Sequence, residues 1–125
     1  MRILKVCLPV VLVALVVAGC AATFTNLNPQ TQERNDANQY LVETVMDCSQ
    51  QTLRWDSIKP QIIVGNKSYP MKPTPLMTNR FEGYIPVAPG QLTVRYHYKF
   101  DFEYNAFGKP KTDSVVSPEY TLHVK

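Results

Sequence analysis

Few residues of this 125-residue chain could carry out acid–base or metal chemistry. The chain has two histidines, His97 and His123, and the carboxylates Asp101 and Glu103 follow the first of them at alternating positions. Two histidines and a carboxylate can bind zinc, and paired carboxylates can serve as general acid and base. No ligand spacing typical of a metal site relates these residues, and the carboxylates have no recognisable partner acid. We therefore predict a non-enzymatic chain with no catalytic residue, no metal and no cofactor.

Three of these four residues belong to a strongly alternating segment. From Leu92 to Tyr104 every second residue is apolar or aromatic, and the residues between them are polar. A period of two predicts a strand with one buried face. The polar face carries Arg95 and Lys99 before the two carboxylates, and these mixed signs favour a solvated face over a charged partner-binding face. Because such a strand is unusually long, we expect a bend, a bulge or a hairpin overhang near one end.

The first twenty residues predict where the protein resides. Arg2 and Lys5 precede an apolar run of 14 residues, from Val6 to Gly19. That run is shorter than the ~20 residues of a membrane-spanning helix and is typical of a secretory signal. We therefore expect residues 1–19 to be removed.

The end of this signal resembles a known processing site. The sequence Val17-Ala18-Gly19-Cys20 is similar to the lipobox of bacterial lipoproteins. The resemblance implies cleavage before Cys20 and acylation of its thiol and of the new amino terminus, which would attach the protein to a membrane. Ala21 stands where an aspartate would favour retention in the inner membrane, so the resemblance implies an outer-membrane location in a Gram-negative source.

The mature chain would be small and almost neutral. Removal of the signal leaves 106 residues and reduces the basic side chains from 13 to 11, against 10 acidic ones, so the formal net charge falls from +3 to +1. No basic run indicates nucleic-acid binding. With Cys7 removed and Cys20 acylated, only Cys48 is left. We expect no disulfide within the mature domain. Cys48 could pair with another chain, but a free cysteine is more often a small buried hydrophobe, and we expect that of Cys48.

The mature chain predicts an all-β fold. We divide it into the acylated cysteine with a tether over residues 20–38 and a folded domain over residues 39–125. Residues 23–27 are a candidate edge strand, and residues 40–46 favour a strand over an amphipathic helix. Further strand candidates are 61–64, 67–71, 80–87, 92–104 and 120–124, separated by a polar connection over 50–59 and turns at 65–66, 88–90 and 105–111. About seven short strands predict an antiparallel immunoglobulin-like β-sandwich.

The segment from Tyr69 to Tyr104 carries a second resemblance. Its Pro70-Met71 pair, the strand motif Phe81-Glu82-Gly83, the turn Pro89-Gly90 and the strand motif Tyr98-Lys99-Phe100 are similar to early-set immunoglobulin-like modules of starch- and glycogen-active proteins. The resemblance implies the fold. It transfers no sugar-binding residue, because the single tryptophan, Trp55, lies outside the matching segment.

These observations predict a lipid-anchored cell-envelope protein that acts as a binding or assembly module. Its partners would be the membrane, through the anchor, and either a protein or a polysaccharide. One alternative is a carbohydrate-binding module of the early-set type, and another is a structural subunit that associates with itself through edge strands. Aromatic side chains serve sugar stacking and protein hot spots equally well. The candidate ligand-binding residues are Trp55, Tyr69, Tyr84 and Phe107.

Overall fold

The chain forms two packed β-sheets. The computed structural model describes residues 22–49 and 52–125. The predicted signal peptide and Cys20 lie outside these residues. The ten strands of the described residues are β1 (Ala22–Asn26), β2 (Thr31–Gln32), β3 (Gln39–Cys48), β4 (Leu53–Val64), β5 (Lys67–Pro70), β6 (Lys72–Pro73), β7 (Arg80–Pro86), β8 (Thr93–Ala106), β9 (Lys109–Val116) and β10 (Tyr120–Val124). Within the described ranges, no helix is long and apolar enough to cross a membrane.

The two sheets differ in width. The first sheet has the strand order β1-β3-β7-β6, and the second has the order β2-β10-β8-β4-β5. Strand β8 is the centre of the second sheet, because β4 pairs with one edge while β10 and β9 follow one another along the other edge. Between β9 and β10 the chain leaves the ladder at Ser117, whose hydroxyl accepts a hydrogen bond from the Tyr98 amide at 2.8 Å. All pairings are antiparallel except β2 with β10.

The alternation of β8 produces the core as predicted. Its inward residues Val94, Tyr96, Tyr98, Phe100 and Phe102 are all buried. Burial of each such side chain contributes about 1.5–3 kcal/mol before the loss of conformational entropy is counted. The opposing sheet supplies a second alternating strand, β3, whose pattern of buried and accessible residues excludes the helical alternative for residues 40–46.

One buried hydroxyl joins the two sheets. The Tyr98 side chain is fully buried, and its hydroxyl donates to Asn26 Oδ1 of β1 at 2.8 Å. The Asn26 amide in turn donates to the Tyr96 hydroxyl at 2.9 Å. Phe24 packs edge-on against Phe100, with ring centroids 5.2 Å apart. These contacts hold β1 against the core.

The expected tether over residues 20–38 is wrong for its described part. Residues 22–26 form β1 along β3, which agrees with the candidate edge strand over 23–27. Residues 31–32 pair with β10, and the Arg34 amide donates to the Lys125 carbonyl at 2.8 Å. A polar segment can be an edge strand when one side chain in it, here Phe24, reaches the core.

The strand count also differs from about seven. Strands β2 and β6 have two residues each, too short to produce a periodic pattern. Strands β8 and β9 together occupy most of the turn expected over 105–111, since the turn itself is only Phe107-Gly108. The polar connection expected over residues 50–59 ends at Leu53, where β4 begins. Of the bend, bulge or overhang expected in the long strand, the overhang is confirmed, because β8 extends beyond β4 into the β8–β9 hairpin. The bulge lies in β4 instead.

We predict that Tyr98→Phe lowers the stability of the domain. The change leaves Asn26 without its donor in the core, which costs about 1–3 kcal/mol, and each kcal/mol lowers the Tm of a domain of this size by roughly 4–8 °C. Tyr98→Asp places a charge in the core and is expected to prevent folding. Tyr84→Phe is the matched control, because the Tyr84 side chain is exposed on the outer face. Equal melting temperatures for Tyr98→Phe and the wild type would contradict this account.

Candidate functional site

A large bulge interrupts the pairing of β4 with β8. Arg54 pairs with Glu103 and Lys59 pairs with Asp101, so residues 55–58 stand opposite the single residue Phe102. The Ser57 hydroxyl replaces the missing ladder contact: it accepts a hydrogen bond from the Glu103 amide at 2.8 Å and donates to the Arg54 carbonyl at 2.6 Å. Bulges of this kind often redirect side chains at functional sites.

An open groove of about 670 Å³ lies over β8 between this bulge and β9. Its lining combines carboxylates, hydroxyls and one lysine over an apolar base. The carboxylates are Asp56, Asp101, Glu103 and Asp113, and the hydroxyls are Ser57, Thr112 and Ser114. A lining of this kind can accept hydrogen bonds from amines, guanidinium groups or sugar hydroxyls.

The charges around this groove compensate one another. Arg54 lies 3.3 Å from Glu103 and 4.0 Å from Asp56. The Gln61 amide donates to Asp101 at 2.9 Å, and Lys99 lies 3.9 Å from the same carboxylate. Pairs this exposed add little stability, but they neutralise part of the negative charge of the groove. The mixed charges predicted for the polar face therefore form a network across two strands, β4 and β8.

The two histidines are not brought together. His123 on β10 stands opposite Thr93, whereas His97 stands opposite Ile63 of β4. Their strands are neighbours, but four residues of β8 separate the two positions, which is about 14 Å at the rise of a strand. In the described part of the chain, no group of three or more histidine, cysteine, aspartate or glutamate residues is arranged to hold a metal ion.

The four aromatic candidates also lie apart. Trp55 lies in the bulge of β4 and is 38% exposed. Tyr69 lies on β5, half-buried against the core, and Tyr84 lies on the outer face of the other sheet. Phe107 occupies the tip of the β8–β9 hairpin. Spread over two sheets and a turn, they do not form one coplanar stacking platform.

One end of the sandwich brings together the start of β1, the end of β3 and the start of β4. A second groove at this end, of about 620 Å³, is lined by residues of all three strands and of the β6–β7 loop, including Thr23, Cys48, Trp55 and Thr78. We call this the entry end, because the described chain begins here with Ala22 opposite Cys48. The turns at residues 65–66 and 88–91 lie at the opposite end.

Cys48 is half-buried and disulfide-bonded, so the expectation of a free, buried thiol is wrong. The chain contains two other cysteines, Cys7 and Cys20, and both lie outside the described residues. Strand β1 brings the beginning of the described chain to Cys48, a pairing that the tether interpretation did not foresee.

Sequence reasoning missed the loop between β6 and β7. This loop, residues 74–79, exposes Leu76 and Met77 at the entry end, where the Asn79 carbonyl accepts a hydrogen bond from the Met46 amide. The sequence does contain a signal for this loop. Two adjacent apolar residues stand in a segment that is otherwise rich in proline and polar residues.

Comparisons with known proteins identify no family. No protein-family model and no curated protein matches the chain. Among solved structures, a crystal structure of a DUF4785 family protein from Legionella pneumophila matches with a TM-score of 0.41 and 9% sequence identity, covering 81% of this chain and 27% of that one. A likeness this low does not establish a shared function.

We predict that Ser57→Ala loosens the bulge that forms one side of the larger groove. The change leaves the Glu103 amide without its acceptor, at a cost of about 1 kcal/mol or more, so this amide is expected to exchange its hydrogen faster. Ser68→Ala is the matched control, because the Ser68 hydroxyl makes an exposed contact with Gln61. Unchanged exchange at Glu103 in Ser57→Ala would show that the hydroxyl does not replace the ladder contact.

Proposed function

We propose that this chain is a lipid-anchored cell-envelope protein whose immunoglobulin-like sandwich acts as a non-enzymatic binding or assembly module. The observation that carries the proposal is the position of the chain's entry into the fold. Ala22 begins β1 only two residues after the cysteine of the lipobox-like sequence. An acyl group on Cys20 would therefore hold the folded domain directly at a membrane surface.

The strand order supports the immunoglobulin-like class. In that fold one sheet has the order A-B-E-D and the other contains G-F-C. The order β1-β3-β7-β6 corresponds to the first, and β10-β8-β4 corresponds to the second. Two of the early-set motifs also have a physical explanation, because they lie against one another in the fold. A side chain at Gly83 would place its Cβ 2.9 Å from the Pro70 carbonyl, so the glycine of one motif admits the backbone of the other.

The larger groove is the binding surface that we propose. It is open and polar, and two of its four carboxylates, Asp101 and Glu103, are paired with Gln61, Lys99 and Arg54. A preorganised surface loses less freedom when a partner binds. Its excess of carboxylates over lysine favours a protein partner that presents amines or guanidinium groups. The separated aromatics make the carbohydrate-binding alternative the weaker one.

The state of Cys20 distinguishes the anchored protein from an unanchored one. A thiol that carries an acyl group through a thioether cannot also form a disulfide. Within this chain the partner of the Cys48 disulfide is Cys7 or Cys20. A bond to Cys7 requires that the signal is retained, and a bond to Cys20 occupies the thiol that would be acylated, so this disulfide and the anchor exclude one another. Whether Cys20 carries an acyl group or a disulfide can be measured.

We predict that Cys20→Ala abolishes labelling of the protein by a fatty-acid analogue and releases it from membranes. Several acyl chains bind a bilayer durably, whereas none leaves only weak surface contacts. Cys7→Ala and Cys48→Ala are matched controls that should keep the label. An unlabelled wild type whose mobility changes on reduction, or a Cys20→Ala protein that keeps the label, would contradict the anchor.

The binding surface is tested by photo-cross-linking in intact envelopes. A benzophenone side chain at Thr112, on the groove, is expected to give one recurrent protein adduct, because a specific partner covers that surface. The same side chain at Asn66, in the turn at the opposite end, is the control and should give none. No adduct at Thr112, or the same adducts at both positions, would contradict the groove as the binding surface.

A further inference from the structure

One edge of the second sheet is a long strand with an unpaired side. Strand β9 pairs with β8 at all eight of its positions, and of these residues only Val115 is packed against the core. No strand of the described residues pairs with the other side of β9. An edge strand of this length, with its amides and carbonyls unpaired, is a template on which a further strand can form.

The turn of the β8–β9 hairpin determines which backbone groups this edge presents. Phe107 and Gly108 have φ of 50° and 78°, as in the two-residue turns of tight hairpins. Ala106 and Lys109 therefore close the turn as a hydrogen-bonded pair, and from there alternate residues of β9 face β8 and face away from it. The residues whose backbone groups face away are Pro110, Thr112, Ser114 and Val116.

Two hydrogen bonds agree with this assignment. The next residue, Ser117, should face β8, and its amide donates to the Tyr98 carbonyl at 2.9 Å. The Ser114 amide, which should face away, donates to the carboxylate of its neighbour Asp113 at 2.8 Å. Pro110 has no amide hydrogen, so its place on the outward side costs the ladder with β8 no hydrogen bond.

The charges of β9 complement a second copy of the same strand. Lys111 and Asp113 lie on one face of β9, with Thr112 between them on the other. When two copies run antiparallel with Thr112 opposite Thr112, each Lys111 stands opposite Asp113 of the other copy. A two-fold axis repeats every contact, so the pairing contains two such ion pairs. Opposite charges directly across a strand pair stabilise it.

The other charged groups nearby do not oppose this pairing. Asp101 and Glu103 of β8 stand opposite Ser114 and Thr112, so their side chains lie on the other face of the sheet. Both are paired there with residues of β4 and β8. Lys109, the remaining charged residue of β9, would lie diagonally across from the β9 aspartate of the second copy, which adds attraction.

The same register covers two apolar residues that the domain leaves accessible. Relative to a reference residue, Phe107 is 102% exposed and Val116 is 59% exposed. With Thr112 on the axis, Val116 stands opposite Gly108 of the second copy, so Phe107 of that copy lies beside it. The pairing therefore gives each of these residues an apolar neighbour.

We propose that two copies of this chain pair through β9, antiparallel about a two-fold axis at Thr112, so that their second sheets join into one. The backbone groups of the two Thr112 residues exchange hydrogen bonds. The Ser114 amide passes from Asp113 to the Pro110 carbonyl of the second copy, and the released carboxylate binds a lysine of that copy. The pairing requires neither a membrane anchor nor a partner in the larger groove, so it goes beyond the proposed function and is tested independently of it.

Charge reversal tests the pairing in the full chain, whose mass is measured by light scattering in mild detergent over a range of concentrations. We expect a reversible dimer of the wild type. Lys111→Asp and Asp113→Lys each place like charges opposite one another twice, so each should weaken dimerisation about tenfold. The double variant restores both ion pairs and should dimerise like the wild type. Lys67→Asp, on the opposite edge strand β5, is the matched control and should leave the dimer unchanged.

An introduced cysteine tests the register. Thr112→Cys places two thiols across the axis at a Cα separation of about 5.5 Å, which a disulfide can span. Under mild oxidation we expect a covalent dimer that reduction separates. The wild type, which carries the native cysteines, and Ser68→Cys on β5 are the controls and should give none.

The outcomes are distinct from those that test the anchor and the groove. Restored dimerisation of the double variant and a covalent dimer of Thr112→Cys support the pairing, whether or not Cys20 is acylated. A wild type that stays monomeric at every concentration, or a dimer that neither single charge reversal weakens, would overturn it. A benzophenone at Thr112 that cross-links only to a different protein would also overturn it, whereas an adduct between two copies supports this pairing and not the groove.

Discussion

The hydrogen bond between the Tyr98 hydroxyl and Asn26 is the contact on which the arrangement of the two sheets depends. A phenol buried in a core needs a hydrogen-bond partner. The Tyr98 hydroxyl has two acceptors in the opposite sheet, Asn26 Oδ1 of β1 at 2.8 Å and the Glu43 carbonyl of β3 at 3.2 Å. Burial raises the pKa of Tyr98 far above its ordinary value, so the hydroxyl keeps the proton that it donates. The need of the buried hydroxyl for an acceptor holds β1 beside β3. The position of β1 in turn determines where the chain enters the fold.

The sequence predicted the parts of the fold in which one face is buried. Strand β8 followed from alternation alone, because every second residue of β8 packs into the core. The all-β class followed from the succession of strand candidates with turn signals between them. Strand β9 was missed because nearly all of its residues are exposed on both faces, so no period is imposed on it. Strand β1 was recognised as a possible edge strand, but its polar surroundings also read as a tether. Burial of Phe24 against the core distinguishes the edge strand from the tether. That burial depends on contacts with residues distant in the sequence, so no local pattern reveals it.

The candidate surfaces were less predictable than the fold. Trp55 and Phe107 were identified as aromatic candidates, yet nothing local indicated that one lines a groove and the other stands free at a turn. The bulge depends on a register shift between β4 and β8, which no pattern within either strand reveals. Charges of mixed sign on β8 indicated a solvated face. The structure adds that Arg54 and Gln61, from a neighbouring strand, hold those charges in place.

The pairing of β1 with β3 has a mechanical consequence for a protein held by its first residues. Strand β1 enters at Ala22 and runs into the sheet beside β3, and its hydrogen bonds lie perpendicular to its length. If the membrane holds the chain just before Ala22, a force on the domain away from the membrane acts along β1. The hydrogen bonds between β1 and β3 are then loaded together in shear and are not broken one at a time. Under such a load the edge strand β1 would serve as a strain-resistant joint, with the Tyr98 hydroxyl as its deepest fixed point.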